Sequence, residues 1–323
     1  MNIVHWLSSY RLKNIDELRF IDMASLRLRA GALLSALNRK KTKLVVGESI
    51  HPQATVCVIG KIGLPDIGVN TKNWLAQLEK FKSKGGRVFL DFTDNHLSVK
   101  TARTDFYLDC LKYVDCCVCS SEKLGVIMRE QFLGEIQVIP DAIDIEVRPP
   151  AKNPGDSRTL LWFGHSRNLP YLMRFLPEIR VNRPASIRIL TNATGVDFLH
   201  SNRPEIGQNL RLEIAEWSIK ATVAAAAVSD LSFIPSDPLD PRKYGVSANR
   251  LQTALALGLP TAADVMPSYE PYKNYFADIR SGGFNAMIED PLAWHEKVIE
   301  AQRLIVSDFS LPTIGLRWLR LVE

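Results

Sequence analysis

Lys243-Tyr-Gly-Val-Ser-Ala-Asn-Arg-Leu-Gln-Thr-Ala-Leu-Ala-Leu-Gly-Leu-Pro-Thr-Ala-Ala263 says more about this chain than any other segment. It opens on polar, turn-prone residues and runs as an apolar helical segment from Leu251 to Leu257. It stops at Gly258 and restarts after Pro260 as a short strand. Ser247 and Asn249 are good N-caps, so the helix is expected to begin there, with free N–H groups and its positive dipole end pointing outward. Flanked by Lys243 and Arg250, such a terminus suits a diphosphate. The same residues also fit an ordinary capped helix on a sheet, and local physics does not separate the two.

Outward from this segment, short apolar runs alternate with amphipathic stretches, the pattern of a doubly wound parallel sheet. In the first half the pattern predicts strands at Asn2–Leu7, Thr42–Val46, Thr55–Gly60, Arg87–Asp91, Cys116–Cys119 and Gln137–Ile139. Helices are expected near Met23–Asn38, Thr71–Lys84, Thr101–Val114 and Glu122–Phe132. The second half repeats the rhythm with strands at Thr159–Phe163, Ser186–Thr191, Leu210–Ile214, Leu231–Pro235 and Thr261–Ala263. Between the halves, Glu146–Ser157 is rich in Pro and loop formers and is the one good linker candidate. At 323 residues the chain exceeds one comfortable core, so two domains are expected, 1–148 and 149–323. Twinned domains of this kind bind ligands at the carboxyl ends of their strands, facing a cleft.

Composition narrows the function classes. Apolar residues make up 46% and charged residues 23%, which fits a globular α/β protein and excludes disorder. No run approaches the roughly 18–20 apolar residues that span a bilayer, and the N-terminus reads as a buried strand rather than a secretory signal. A cytoplasmic protein is expected. Four of the five cysteines crowd into Cys110–Cys119; adjacent cysteines on a strand point to opposite faces, so buried thiols are favoured over a metal site. The net charge of +5 is a modest bias. The helix near Met23–Asn38, with its basic end Arg39-Lys-Lys41, reads as a solvated face or as a weak peripheral contact with anionic lipid at the cytoplasmic face of a membrane. The basic residues are scattered and form no recognised nucleic-acid module, so no nucleic acid is expected as partner.

The opening segment resembles the donor-binding signature of GT-B glycosyltransferases, Ser-x-Asn-Lys-(apolar)-x-Glu-x-(apolar)-Ala-x-Gly-x-Pro. Here it reads Ser247, Asn249, Arg250, Leu251, Thr253, Leu255, Ala256, Gly258 and Pro260. Ser229-Asp-Leu-Ser-Phe-Ile-Pro-Ser236 is similar to the family's strand just upstream. Val138-Ile-Pro-Asp-Ala-Ile-Asp144 resembles its interdomain junction. Leu160-Leu-Trp-Phe-Gly-His-Ser-Arg-Asn168 resembles the first strand and loop of the second domain. The chain thus looks like a GT-B protein of the family 4-like branch, glycosyl transferases group 1, with an α/β fold of two Rossmann-like domains. The resemblance implies an N-terminal acceptor domain and a C-terminal donor domain, with the last helix packing back on the first. It also implies retaining transfer of a sugar from a nucleotide-diphosphate donor, as in polysaccharide biosynthesis, to a glycan, lipid-linked or other acceptor.

Transfer from such a donor requires charge stabilisation on the departing diphosphate, by a metal or by cations and helix termini. Neither Asp91/Asp94 nor Asp237/Asp240 has Asp-x-Asp spacing, and Asp144-x-Glu146 sits at the junction, where a solvated pair is the simpler reading. A metal-independent reaction without cofactor is therefore expected, with Arg167 and Lys243 as catalytic cations. The donor side gathers Gly164, His165, Asn168, Thr191, Trp217, Ser247, Asn249, Arg250 and Thr253. Gly164 allows close backbone approach, and Trp217 stands where relatives hold the base. One departure stands out: the family has Glu where this chain has Thr253, and a neutral hydroxyl binds ribose hydroxyls less strongly than a carboxylate. The alternative is accordingly a catalytically degenerate GT-B domain that binds nucleotide or glycan, or scaffolds. On the acceptor side the candidates are Asp94 and His96, the latter suited to proton transfer, and Arg27 in Ser25-x-Arg27-x-Arg29.

Overall fold

The computed structural model describes residues 2–10, 12–37, 41–63, 66–151 and 157–323. Residues 152–156 of the expected linker and Arg39-Lys40 of the basic helix end lie outside the described residues. The chain forms two compact units. The first comprises Met1–Asp144, Leu239–Ser247 and Asp308–Glu323; the second comprises Ile145–Pro238 and Ala248–Ser307.

The first unit is built on β1 (Asn2–Leu7), β2 (Thr42–Gly47), β3 (Val56–Ile59), β4 (Arg87–Phe92), β5 (Cys116–Cys119) and β6 (Glu135–Val138), all parallel in the order β2-β1-β3-β4-β5-β6. Strand order reverses between β1 and β3, the place where open α/β sheets bind ligands at their carboxyl ends. Both sheet faces are covered. Val4, Trp6, Val58, Phe89 and Val118 pack on one side, and Leu7, Cys57, Ile59, Leu90 and Cys117 on the other. That two-sided burial is why these strands read as unbroken apolar runs. All five cysteines are free and buried, and burial pushes the Cys116 thiol up to about 12 and the other four upward as well. They are unreactive core residues.

The helix expected over Met23–Asn38 is interrupted by a π-helical turn at Leu26–Ala30, where Gly31 N–H reaches back to Leu26 O. An α-helix follows over Gly31–Ala36 and ends as Leu37 turns extended. Residues Leu26 to Leu34 are all buried. The C-terminal helix Leu311–Val322 covers them. A Cβ on Gly315 would lie 2.2 Å from Ala32 O, so only glycine permits this approach. Trp318 of that helix meets Trp6 edge-on at 5.1 Å, a contact that adds about 0.5–1.5 kcal/mol beyond burial. Between Leu26 and Leu34 the helix therefore presents no solvated face. No described helix is long and apolar enough to cross a membrane.

The second unit carries β7 (Arg158–Phe163), β8 (Ala185–Thr191), β9 (Leu210–Glu216), β10 (Leu231–Ile234), β11 (Thr261–Ala263) and β12 (Ala277–Asp278), parallel in the order β12-β11-β10-β7-β8-β9. Order reverses between β7 and β10, which places the loop after β7 at this unit's switch point. The signature helix spans Asn249–Ala256. Gly258, at φ +83°, turns the chain into β11; a Cβ there would lie 2.7 Å from the carbonyls of Arg148 and Pro149.

Candidate functional site

In the second unit, residues at the carboxyl ends of β7, β8 and β9 converge. Gly164 follows β7, and its missing side chain leaves room for Arg250: an added Cβ would stand 3.3 Å from Arg250 Nη1 and 3.3 Å from the Trp162 ring. Arg250 is half-buried, and its Nη1 is closed to solvent with no hydrogen-bond partner among the described residues. Burial pulls the guanidinium pKa down, while Tyr269 and Tyr171 act in the opposite sense. A buried, unpartnered cationic donor costs stability, about 1–3 kcal/mol or more.

The neighbouring loop is held rigidly. Asn192 Oδ1 accepts from Ser166 N–H at 2.7 Å, His165 Nδ1 accepts from Arg167 N–H at 3.2 Å, and Asn168 N–H donates to His165 O at 2.8 Å. Thr191 is fully buried, and Trp217 N–H donates to its carbonyl at 2.7 Å, joining the ends of β8 and β9. Trp217 is half-buried against the cluster of Leu161, Phe163 and Leu190. His165 and Arg167 are exposed. Thr253 lies in the signature helix and is half-buried.

The helix N-terminus differs from expectation. Its cap residue is Ala248, with no side-chain cap bond, and Asn249 is the first helical residue. Ser247 and Asn249 therefore do not cap it. Ser247 lies before the cap in the segment Leu239–Ser247, which belongs to the first unit, whereas Asn249 is already wound into the helix and cannot cap from there.

In the first unit, Lys61 follows β3 and Asp94 and His96 follow β4. The Lys61 amine pairs with Asp94, and His96 Nε2 stands 3.8 Å from the same carboxylate oxygen. The His96 ring stacks flat on Tyr107 at 5.1 Å, with Phe92 edge-on. Burial opposes ionisation of Asp94, but Lys61, His96 and Lys243 outweigh it and hold the carboxyl at about 2. Lys243 thus joins Asp94 and His96 in one electrostatic cluster. Lys61 has no role in the sequence reading; its position after β3, beside the switch point, is the signal that finds it.

Arg27 is spent on structure. Its Nε donates to Asp144 and its Nη1 to Ile21 O at 2.6 Å, and it is buried. Asp144 is therefore paired with Arg27 and is not the solvated partner of Glu146. Arg29, fully buried, bonds Asp91 at 2.5 Å and Ile139 O at 2.6 Å, with its guanidinium over the Trp318 ring. Burial raises Asp91 to about 6 despite Arg29. Among the described residues, no group of three or more His, Cys, Asp or Glu is placed to hold a metal ion.

No family model matches the sequence, and no curated protein is significantly similar to it. Solved structures are similar along the whole chain. HepE of Anabaena, in complex with UDP, superposes with a TM-score of 0.64 at 12% identity, covering 100% of this chain and 99% of that one. An alpha-glucosyltransferase in complex with UDP and a DNA containing an HMU base gives 0.65 at 9% identity over the same shares. The lipopolysaccharide outer core galactosyltransferase WaaB, in apo form, gives 0.58 at 11%, again covering 100% and 99%. Two six-stranded parallel Rossmann-like units, similar over their full length to these proteins, establish that the chain has the GT-B fold of glycosyltransferases.

Proposed function

We propose that the protein is a glycosyltransferase that moves a sugar from a nucleotide-diphosphate donor to a glycan, lipid-linked or other acceptor, with retention and without a required metal. The observation that carries this reading is Arg250, whose closed-off Nη1 lies beside the side-chain-free Gly164 at the switch point of the second sheet. An anionic diphosphate supplies the partner that the described residues do not. Solved neighbours that hold UDP support a nucleotide of that class.

In this reading the second unit takes the donor: Arg250 binds its diphosphate, Gly164 lets the backbone approach, and Trp217, held by the carbonyl of buried Thr191, lines the nucleotide side. The exposed Arg167 and His165 reach the donor from the same loop, with Asn168 fixing the loop's turn. Lys243 supplies a second cation for the leaving group, and Thr253 offers its hydroxyl to ribose. In the first unit, Asp94 and His96 serve the acceptor, with His96 oriented by Tyr107 for proton transfer. The test is a binding screen of nucleoside diphosphates followed by a donor-hydrolysis assay. Binding of one diphosphate, weakened by Arg250→Ala while nucleoside affinity stays unchanged, supports the reading.

A second reading, a nucleotide- or glycan-binding domain without catalysis, is favoured by one observation: Thr253 stands where the resembling enzymes carry a carboxylate. It predicts diphosphate binding without hydrolysis of any donor.

A further inference from the structure

The segment Leu239–Ser247, which carries Lys243, is fastened within the first unit by residues to which no role has been assigned. Ser121 caps the helix Glu122–Arg129, its Oγ accepting from Leu124 N–H at 3.3 Å, and the same hydroxyl donates to Gly245 O at 2.7 Å. Asn95 Nδ2 donates to Pro241 O at 3.1 Å. The Lys123 amine lies 4.5 Å from the centre of the Tyr244 ring. Gly245 has φ +87°, and a Cβ there would meet Leu124 at 2.8 Å, so the chain passes flush against the start of that helix. Lys243 thus sits between two fastened points, Pro241 and Gly245, where it acts on Asp94.

We propose that Ser121 and Asn95 form a latch that positions the Lys243 amine, and so act on transfer without touching substrate. The functional half of this proposal rests on the role given to Lys243 above. The chemistry of position 121 separates latch from fold. Aspartate caps a helix as well as serine does and suits its dipole, yet as a carboxylate it has no proton to donate to Gly245 O. Threonine keeps both bonds. Leucine at 95 removes the amide donor at similar size.

Two measurements test the latch. The first is the acetylation rate of Lys243 by acetic anhydride, followed by peptide mass spectrometry on the full chain. Ser121→Asp and Asn95→Leu should change that rate by roughly threefold to tenfold, the equivalent of one lost hydrogen bond, with Ser121→Thr matching wild type. An unchanged rate in both variants overturns the latch. The second is a double-mutant cycle on donor hydrolysis. Ser121→Asp should lower kcat more than it changes the donor KM, and should cause no further loss when added to Lys243→Ala. An equal loss in the Lys243→Ala background overturns the proposal, because Ser121 then acts by another route. If Lys243→Ala alone leaves hydrolysis unchanged, the role of Lys243 in transfer fails; the acetylation rates then uphold or overturn the latch by themselves.

Discussion

Replacing Arg250 with methionine should move stability and binding in opposite directions. The methionine stem keeps most of the packing beside Gly164 and Trp162 and removes the charge. In the wild type, Nη1 has no hydrogen-bond partner among the described residues and burial disfavours its charge. An unsatisfied buried donor costs about 1–3 kcal/mol, so Arg250→Met should unfold at the same temperature as wild type or higher. Its diphosphate contact is charge-assisted and contributes about 1.5–3 kcal/mol, so affinity for a nucleoside diphosphate should fall roughly ten- to hundredfold. Differential scanning calorimetry without nucleotide, paired with isothermal titration of the nucleoside diphosphate that binds wild type and of its nucleoside, reads both effects. Diphosphate binding should weaken and nucleoside binding should not. A lower Tm together with unchanged diphosphate affinity would make Arg250 a structural residue.

Three further outcomes follow from the same geometry. Donor hydrolysis should persist in excess EDTA; complete loss that Mg²⁺ or Mn²⁺ restores would mean that cations of the protein do not carry the leaving group. Gly315→Ala should destabilise the first unit by about 1–3 kcal/mol, since its Cβ would lie 2.2 Å from Ala32 O and 2.9 Å from Ala36 Cβ; an unchanged melting temperature would contradict this packing. Burial lowers His5 to about 4, and His5 Nε2–H donates to Gly47 O at 3.0 Å. The unfolded chain takes up this proton near the ordinary value of about 6.5 and the folded one does not, so the His5 contribution is complete above that value and declines as pH falls toward 4. His5→Gln should flatten the fall in urea midpoint between those pH values, and an identical slope in both proteins would remove His5 from the account.

Where apolar pattern alone decides structure, the sequence was legible. The bounds of β1, β5 and β11 match the expected strands residue for residue, because strands buried on both faces read as unbroken apolar runs. The two-residue strand β12 is too short to leave a periodic signal. The helix start at Asn249 was misread because Ser and Asn are good caps wherever the chain allows, and here tertiary placement puts Ser247 outside the helix and Asn249 inside it. Arg27 and Arg29 look like surface charges in a one-dimensional string. Their partners Asp144 and Asp91 lie 117 and 62 positions away, and no local spacing announces such a pair. Gly164 and Arg250 were singled out separately; their contact across the second sheet is a property of the fold and not of either motif.

Sugar transfer from a nucleotide donor is read without intermediary as release of nucleoside diphosphate from a panel of nucleotide sugars incubated with the full chain in EDTA. At least one donor should be cleaved, and cleavage should be lost with Arg250→Ala while the fold is retained. Binding of a diphosphate with no cleavage of any donor, with or without added metal and candidate acceptors, would contradict sugar transfer and leave the non-catalytic reading in its place.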